Sequence, residues 1–296
     1  MSNVRDRIKA IKQDIRESVG KEKAVIAVSG GIDSSVCALL SNEVIPDQLF
    51  SVYIRTGFNL DKEERNLVKL FKKQGIRLKI LKREKEYFNE LRNIKDSWKR
   101  RYTFGVISLK NIKKYAESIG ASVLINGVNK NDKEISNIVN SSKQRAKEVK
   151  EVLGLKLVEP IADIYKGGVK KIALNIGLKE IINKQHIPGP ALVIRISGKI
   201  TREKLKLLKE INEFTDSQVN EKYWQFFPFL LDERLDNKFL IILRAVTSKD
   251  GGFSAEVKYD LKLLNKLAMG ILKKYPKVGR VLFDISPKPP VTIEFM

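Results

Sequence analysis

The sequence AVIAVSGGIDSSVCALL, residues 24–40, joins a short apolar run, a glycine turn and the start of an apolar helical pattern. The run at Ala24–Val28 predicts a buried strand, and the residues after the turn predict a helix. Backbone N–H groups at a helix start are unpaired and favour anions, and glycines allow a phosphate to approach closely. Ser29 and Ser34 add hydroxyl donors, whereas Asp33 is suited either to hold Mg²⁺ between phosphates or to cap the helix.

The glycine turn differs from a Walker-type loop because no Gly-Lys-Ser/Thr follows it. The pattern S-G-G-x-D-S instead resembles the pyrophosphate-binding loop of the N-type ATP pyrophosphatases. The resemblance implies that the protein binds ATP with Mg²⁺, cleaves ATP between the α- and β-phosphates and adenylates a substrate oxygen. The alternative interpretation is a turn capped by Asp33 without any ligand. The expected ATP-binding residues are Ser29, Gly30, Gly31, Asp33, Ser34, Ser35, Ile54 and Gly127, with Asp33 and Ser34 as catalytic residues and Asp33 as the magnesium ligand.

The composition indicates a globular protein with a strong positive charge. The chain has 296 residues, which favours two domains, and a formal net charge of +22. This charge attracts polyanions, so nucleotides are the expected ligands and RNA is a less favoured partner, suggested by the basic and aromatic segment from Trp98 to Phe104. No apolar run is long enough to span a bilayer, and we expect no membrane partner. The single cysteine, Cys37, is typical of a cytoplasmic protein and is expected to be a buried apolar residue.

Strand and helix patterns alternate through the first half of the chain. Alternation of this kind predicts an α/β fold, here a doubly wound parallel sheet of five strands similar to that of the adenine nucleotide alpha hydrolases. Ligands bind beyond the C-terminal ends of such strands, where the glycine turn and two further turns, at 55–57 and 126–129, are expected to surround one ATP. The predicted strands span residues 24–28, 49–54, 77–81, 122–126 and 155–158.

The sequence HIPGP, residues 186–190, is the clearest break in these patterns. It predicts an ATP pyrophosphatase domain at residues 1–187 and a smaller α+β domain at residues 188–296. In the second domain, predicted strands surround two long helices at 202–214 and 257–274. The predicted strands there span residues 191–196, 238–245, 278–285 and 290–295.

Nearly all of the chain beyond Gly20 resembles the ATP pyrophosphatase portion of GMP synthase. The matching motifs are EPIADIYK at residues 159–166, PGPALVIR at 188–195 and KPPVTIE at 288–294. The last motif is the most specific, because the wider pyrophosphatase superfamily lacks it. The resemblance implies that xanthosine monophosphate (XMP) is bound by Arg195, Lys288, Ile293 and Glu294.

The resemblance also implies a reaction and two partners. The reaction is the ATP-dependent amination of XMP to GMP through an adenylated intermediate. The chain contains one cysteine and one histidine, and no Cys–His glutaminase is present, so ammonia is expected from a separate glutamine amidotransferase subunit or from solution. Members of the family dimerise through the C-terminal domain, which implies a homodimer.

Several positions depart from the family pattern. The turn RTGFNL at residues 55–60 replaces the family's Asp-x-Gly-Leu-Leu-Arg, and GVNKND at 127–132 keeps only the ends of Gly-Thr-x-Tyr-Pro-Asp. The family's Lys-Ser-His-His-Asn run in the lid has no counterpart. Two alternatives therefore stay open: a related ATP pyrophosphatase that adenylates another substrate such as a tRNA base, and a catalytically weak nucleotide-binding paralogue.

Overall fold

A computed structural model describes residues 4–138, 154–182, 189–219, 223–248 and 255–287. The chain divides into two compact units. The first is formed by the described parts of residues 1–55, 61–83 and 106–183, and the second by those of 56–60, 84–105 and 184–296. The predicted boundary between residues 187 and 188 lies outside the described residues, so domains at 1–187 and 188–296 stay a prediction.

The first unit contains a sheet of five strands, all parallel, which confirms the predicted fold class. The strand order is β3-β2-β1-β4-β5. The chain therefore leaves β1 toward one edge of the sheet and later returns to the other side of β1. Such a reversal opens a crevice at the C-terminal end of the central strand. The strands are β1 Ala24–Ala27, β2 Leu49–Arg55, β3 Leu78–Lys82, β4 Val123–Ile125 and β5 Lys156–Val158.

Helices cover both faces of this sheet. Apolar residues of α1, α2, α3 and α7 form a core with one face, and the second half of α5 packs on the other face around Val25, Val52 and Leu124. The α4 helix and the first half of α5 belong to the second unit. The helices up to this point in the chain are α1 Val4–Val19, α2 Ile32–Val44, α3 Asp61–Lys73, α4 Glu84–Leu91, α5 Ser97–Ile119, α6 Lys130–Ile138, α7 Lys166–Asn175 and α8 Lys179–Ile182.

The second unit contains a smaller sheet with two helices against it. Strand β7 pairs antiparallel with β6 and β8 and parallel with β9. The helix α9 contacts β6, and α10 contacts β9. These elements are a 3₁₀ helix at Ala191–Arg195, α9 Arg202–Gln218, β6 Gln225–Leu235, β7 Lys238–Thr247, β8 Glu256–Val257, α10 Leu261–Lys274 and β9 Val278–Asp284.

The second unit differs from the sequence interpretation at the segment 191–196, at the strand β6 and at the start of the helix predicted at 257–274, which begins at Leu261 after the short strand β8. Most of the segment 191–196, predicted as a strand, forms the 3₁₀ helix Ala191–Arg195. The φ angle of Ala191 is 50°, in the left-handed region of the backbone, which a regular strand does not adopt. Its five residues are all buried, and a short apolar run buried on every side gives no periodicity to separate strand from helix. The strand β6 was missed because Pro228 argues against a strand. The predicted strand at 290–295 lies outside the described residues.

Candidate active site

The glycine turn lies where β1 ends and α2 begins. Gly30 has a φ of +84°, and Gly31 occupies the cap position of α2 without a side chain that could accept a hydrogen bond. The first helical hydrogen bond joins the N–H of Ser35 to the carbonyl of Gly31 at 3.2 Å. The amides of residues 32–34 precede that bond, and N–H groups at this position of a helix have no partner within the helix and are suited to an anion.

Two serine hydroxyls shape this turn. The Ser34 hydroxyl lies 3.3 Å from the Ser29 hydroxyl and accepts a 3.3 Å hydrogen bond from the Ser29 N–H. Ser35 is fully buried and donates to the Gly31 carbonyl at 2.8 Å. Ser29 is exposed and Ser34 is buried. Ser29 and Ser34 therefore lie at the turn itself, whereas the hydroxyl of Ser35 stabilises the backbone of the turn.

Asp33 forms an ion pair with Lys166 that no local sequence pattern predicts. Its Oδ2 atom accepts a hydrogen bond from Nζ of Lys166, the first residue of α7. Its Oδ1 atom is buried and has no hydrogen-bond partner. A buried carboxylate oxygen without a donor is unfavourable, so Asp33 has an unused capacity to bind a cation. Asp33 does not act as the helix cap, a position that Gly31 occupies.

Lys166 reaches Asp33 because two backbone contacts hold the start of α7. The Lys166 N–H donates to Oδ1 of Asn131 at 2.8 Å, and the N–H of Lys130 donates to the Ile164 carbonyl at 3.0 Å. The first turn of α6 is thereby fixed to the chain that enters α7. Lys166 stands in the motif EPIADIYK, which carried the family resemblance, but its contact with Asp33 spans 133 positions of sequence. No local pattern reveals a contact at that separation.

Gly127 lies against the start of α2. A Cβ atom on Gly127 would lie 2.9 Å from the Ser34 nitrogen and 3.0 Å from the Asp33 carbonyl carbon. Both atoms belong to the backbone, so a side chain here would displace the helix start. The structure therefore brings Gly127 next to the glycine turn and shows that the position needs a residue without Cβ.

Asp132 adds a second carboxylate near Asp33. Asn129 and Asp132 exchange hydrogen bonds between side chain and backbone, at 3.2 and 3.1 Å, and so close the first turn of α6. Loss of solvation raises the pKa of Asp132, and the charge of Asp33 raises it further, whereas the Asn129 N–H opposes the shift. Part of the residue stays in contact with solvent, which weakens the repulsion between the two carboxylates.

Ile54 and Cys37 both pack in the apolar interior of the first unit. Ile54 lies one residue before the C-terminal end of β2 and packs on the side of the sheet that α5 covers. Cys37 is completely buried in α2, and burial raises the pKa of its thiol. A thiol with a raised pKa forms little thiolate, which agrees with the predicted role of Cys37 as an apolar core residue.

Arg195, in the second unit, is almost completely buried. Its guanidinium donates to Oδ1 of Asn212 at 2.7 Å and lies 4.6 Å from the ring centroid of Phe227. The segment that carries it is held by Arg100, whose guanidinium donates to the carbonyls of Val193, at 3.2 Å, and of Ile196. Burial lowers the pKa of Arg100 to about 10. The other predicted XMP ligands, Lys288, Ile293 and Glu294, lie outside the described residues.

The aromatic residues near the start of α5 differ in exposure. Trp98 and Tyr102 are exposed, and the guanidinium of Arg101 lies 6.0 Å from the Trp98 ring centroid. Phe104, which the sequence placed among the base-stacking candidates, is buried and packs edge-on against Tyr87 with ring centroids 4.9 Å apart. Only the first two rings are therefore accessible for stacking.

Two family models match the chain. Residues 3–102 match NAD synthase, and residues 212–295 match the GMP synthase C terminal domain. Among curated proteins, a subunit of the glutamine-hydrolyzing GMP synthase of Pyrococcus horikoshii is 35% identical over 96% of this chain and 96% of that protein. The corresponding protein of Methanothermobacter thermautotrophicus is 33% identical over 100% of both chains. Within the described part of the chain, no helix is long and apolar enough to cross a membrane.

Proposed function

We propose that this chain aminates XMP to GMP with ATP and ammonia, through an adenylated intermediate. The chain belongs to the same family of GMP synthase subunits as the relatives described above. The observation that carries the proposal is the arrangement at the start of α2. It brings together the backbone amides of residues 32–34, two serine hydroxyls and the Asp33–Lys166 ion pair beside Gly127. These groups supply hydrogen-bond donors and the ammonium group of Lys166 at a single position. That combination suits the departing pyrophosphate of ATP.

The loop and α2 bind the phosphates of ATP in this proposal. The amides of residues 32–34 and the hydroxyls of Ser29 and Ser34 donate to the β- and γ-phosphates, and Gly30 and Gly31 permit the close approach. The rest of the nucleotide extends along the C-terminal ends of the strands toward Ile54 and Gly127. Lys166 moves from Asp33 to a phosphate oxygen when ATP binds and neutralises charge on the leaving group.

The residues present also fit Mg²⁺. Mg²⁺ in nucleotide sites is usually held by one or two carboxylates together with phosphate oxygens. Oδ1 of Asp33 is buried and unpartnered, and Asp132 is the second carboxylate nearby. Among the described residues no three metal-binding side chains form a cluster. Phosphate oxygens of the bound nucleotide would supply further ligands for an ion held by Asp33. When bound, the ion neutralises the triphosphate and polarises its phosphoryl oxygens.

The reaction then proceeds in two displacements. The O2 oxygen of XMP attacks the α-phosphorus of ATP, the bond to the β-phosphate oxygen breaks, and pyrophosphate leaves. Ammonia next attacks C2 of the adenylated purine, AMP leaves with the former O2 oxygen, and a proton is lost to give GMP. The protein contributes positioning and stabilisation of the pyrophosphate charge, and it forms no covalent bond to the substrate.

XMP is assigned to Arg195, Lys288, Ile293 and Glu294. The guanidinium of Arg195 and the ammonium of Lys288 are suited to the 5′-phosphate, and Glu294 to a purine N–H or the ribose hydroxyls. Arg195 is already oriented by Asn212 and the Phe227 ring, which lowers the entropic cost of binding.

Ammonia comes from a separate glutamine amidotransferase subunit. The relatives are named as one subunit of a glutamine-hydrolyzing enzyme, which supports a division of labour between two chains. The only cysteine of this chain is buried and its pKa is raised, so it is unsuited to attack glutamine. We further propose a cytoplasmic homodimer joined through the C-terminal domain.

A turnover assay tests the function directly. The purified protein with ATP, Mg²⁺, ammonium and XMP should release equal amounts of AMP, pyrophosphate and GMP, and omission of XMP should abolish pyrophosphate release. Pyrophosphate release that depends on RNA instead would favour a tRNA-modifying relative. A folded protein that binds no ATP would favour the non-catalytic alternative.

A further inference from the structure

A cleft opens at the edge of the parallel sheet where β2 and β3 begin. It has a volume of about 280 Å³, close to the lower end of the range for small-ligand sites, and its lining includes Phe50, Arg77, Lys79 and Tyr115. The glycine turn follows the C-terminal end of β1, at the opposite edge of the same sheet. The seven residues of β2 place about 20 Å between the two edges, so the cleft is separate from the proposed ATP site.

Side chains from the sheet and from α5 meet in this cleft. Phe50 and Val52 are alternate residues of β2, so both project toward the face that α5 covers. Lys79 of β3 pairs with Val52 and projects to the same face. Tyr115 of α5 packs on that face from the helix side. The cleft therefore has one aromatic ring on its sheet wall and one on its helix wall.

The cleft offers cations, a hydroxyl and a carboxylate to a ligand. Arg77 and Lys79 are exposed, and neither forms an ion pair with a described residue. The hydroxyl of Tyr115, which is half-buried, has no hydrogen-bond partner in the described ranges of the chain. Loss of solvation raises the pKa of Tyr115, so the hydroxyl keeps its proton and can donate. Asp47 adds one exposed carboxylate to the lining.

Lys23 adds a third cation beside the cleft. Its Nζ atom lies 5.8 Å from the ring centroid of Phe50 and donates a 3.0 Å hydrogen bond to the carbonyl of Ile119, the last residue of α5. This bond holds the ammonium at the end of the helix that carries Tyr115. The lining and Lys23 together carry three cations and one carboxylate, so an anion is the ligand that they favour.

We propose that this cleft binds a free nucleoside monophosphate. The guanidinium of Arg77 and the ammonium of Lys79 suit the phosphate, and the rings of Phe50 and Tyr115 suit the base. The carboxylate of Asp47 can accept hydrogen bonds from ribose hydroxyls, as acidic residues do in dinucleotide-binding folds. The inference is independent of the proposed function, because the cleft and the proposed ATP site lie at opposite edges of the sheet.

Isothermal titration of the full chain with uridine 5′-monophosphate tests the inference, in the presence of XMP and a non-hydrolysable ATP analogue. Uridine monophosphate is the probe because stacking on aromatic rings tolerates any base and the proposed reaction uses only purines. Arg77→Ser and Phe50→Leu should each weaken its binding by about tenfold, because one removes phosphate donors and the other removes a ring. Lys72→Ser is the matched control, since Lys72 is an exposed cation of α3 outside the cleft, and it should leave the affinity unchanged. Asp47→Asn should reduce the preference for the probe over its 2′-deoxy analogue.

Two competitors and thermal unfolding of every variant complete the test. Inorganic phosphate that competes as strongly as uridine monophosphate overturns the inference, because the rings then contribute nothing. A uridylate decamer that binds more than about tenfold tighter, and loses affinity in the same variants, assigns the cleft to an RNA strand and overturns the assignment to a free nucleotide. No saturable binding of the probe below about 1 mM, or binding unchanged in folded Arg77→Ser and Phe50→Leu, also overturns it. If Phe50→Leu fails to fold, Arg77→Ser decides the matter, because Arg77 is exposed.

Discussion

At the scale of single residues, the two carboxylate oxygens of Asp33 have different surroundings. One oxygen is paired with Lys166, and the other is buried without a donor. Asp33 can be predicted from its place after two glycines, because the helix start is a local feature. Its pairing with Lys166 cannot be predicted in this way, because the pair depends on how α6 and α7 meet.

The first prediction concerns the charge of Asp33. Asp33→Asn should lower the rate of pyrophosphate release at least about 100-fold, because a neutral amide neither retains Lys166 nor holds Mg²⁺ beside the phosphates. The measurement is pyrophosphate release at saturating ATP and XMP over a range of Mg²⁺ concentrations. Asp163→Asn is the control, since Asp163 forms an exposed ion pair with Arg7 in the same unit. Wild-type turnover by Asp33→Asn would remove the basis for the proposed phosphate site.

At the scale of secondary structure, the sequence predicted the first unit better than the second. The strands β1 to β5 are short apolar or alternating segments bounded by turns and separated by helical patterns, so each carries its own signal. The strand β6 contains Pro228, which pairs with Leu243, and it is tolerated because β6 lies at the edge of the sheet. The 3₁₀ helix at 191–195 depends on burial from all sides, which no window of sequence encodes.

The second prediction concerns the fit between two of these elements. Gly127→Ala should weaken ATP binding by about tenfold or more, because the added Cβ would meet the backbone of Asp33 and Ser34 at 2.9–3.0 Å and displace the start of α2. Isothermal titration with a non-hydrolysable ATP analogue measures the effect. Gly167→Ala is the matched control, since a Cβ there meets no atom within 4 Å. Equal affinities for the two variants would show that the helix start tolerates the shift.

At the scale of the whole molecule, several large apolar residues of the second unit are exposed. Leu261 and Met269 of α10 are 66% and 69% exposed, and Ile285, just after β9, is 73% exposed. Large exposed apolar residues concentrated on one unit are typical of a surface that associates with another chain. They support the proposed homodimer.

The third prediction tests that association. Met269→Glu should convert a dimer into a monomer, because a charge buried without a partner in an apolar interface is strongly unfavourable. Sedimentation velocity at several protein concentrations measures the change. Val68→Glu is the control, since Val68 is an exposed apolar residue of α3 in the first unit, and this variant should remain dimeric. Dimers of unchanged stability with Met269→Glu would place the interface elsewhere.

The fourth prediction concerns the nitrogen source, because we assign glutamine hydrolysis to a separate subunit. With glutamine as the only nitrogen source, the protein should form no GMP above background, whereas ammonium should support full turnover. The reason is that glutamine hydrolysis needs an activated nucleophile, and Cys37 is buried in α2 with a raised pKa. Cys37→Ala should therefore leave the ammonium-driven kcat within about twofold of wild type, at most with some loss of stability from the small cavity. Nitrogen-15 transfer from labelled glutamine to GMP by the isolated chain, lost in Cys37→Ala, would instead give this protein its own glutaminase and make a partner unnecessary.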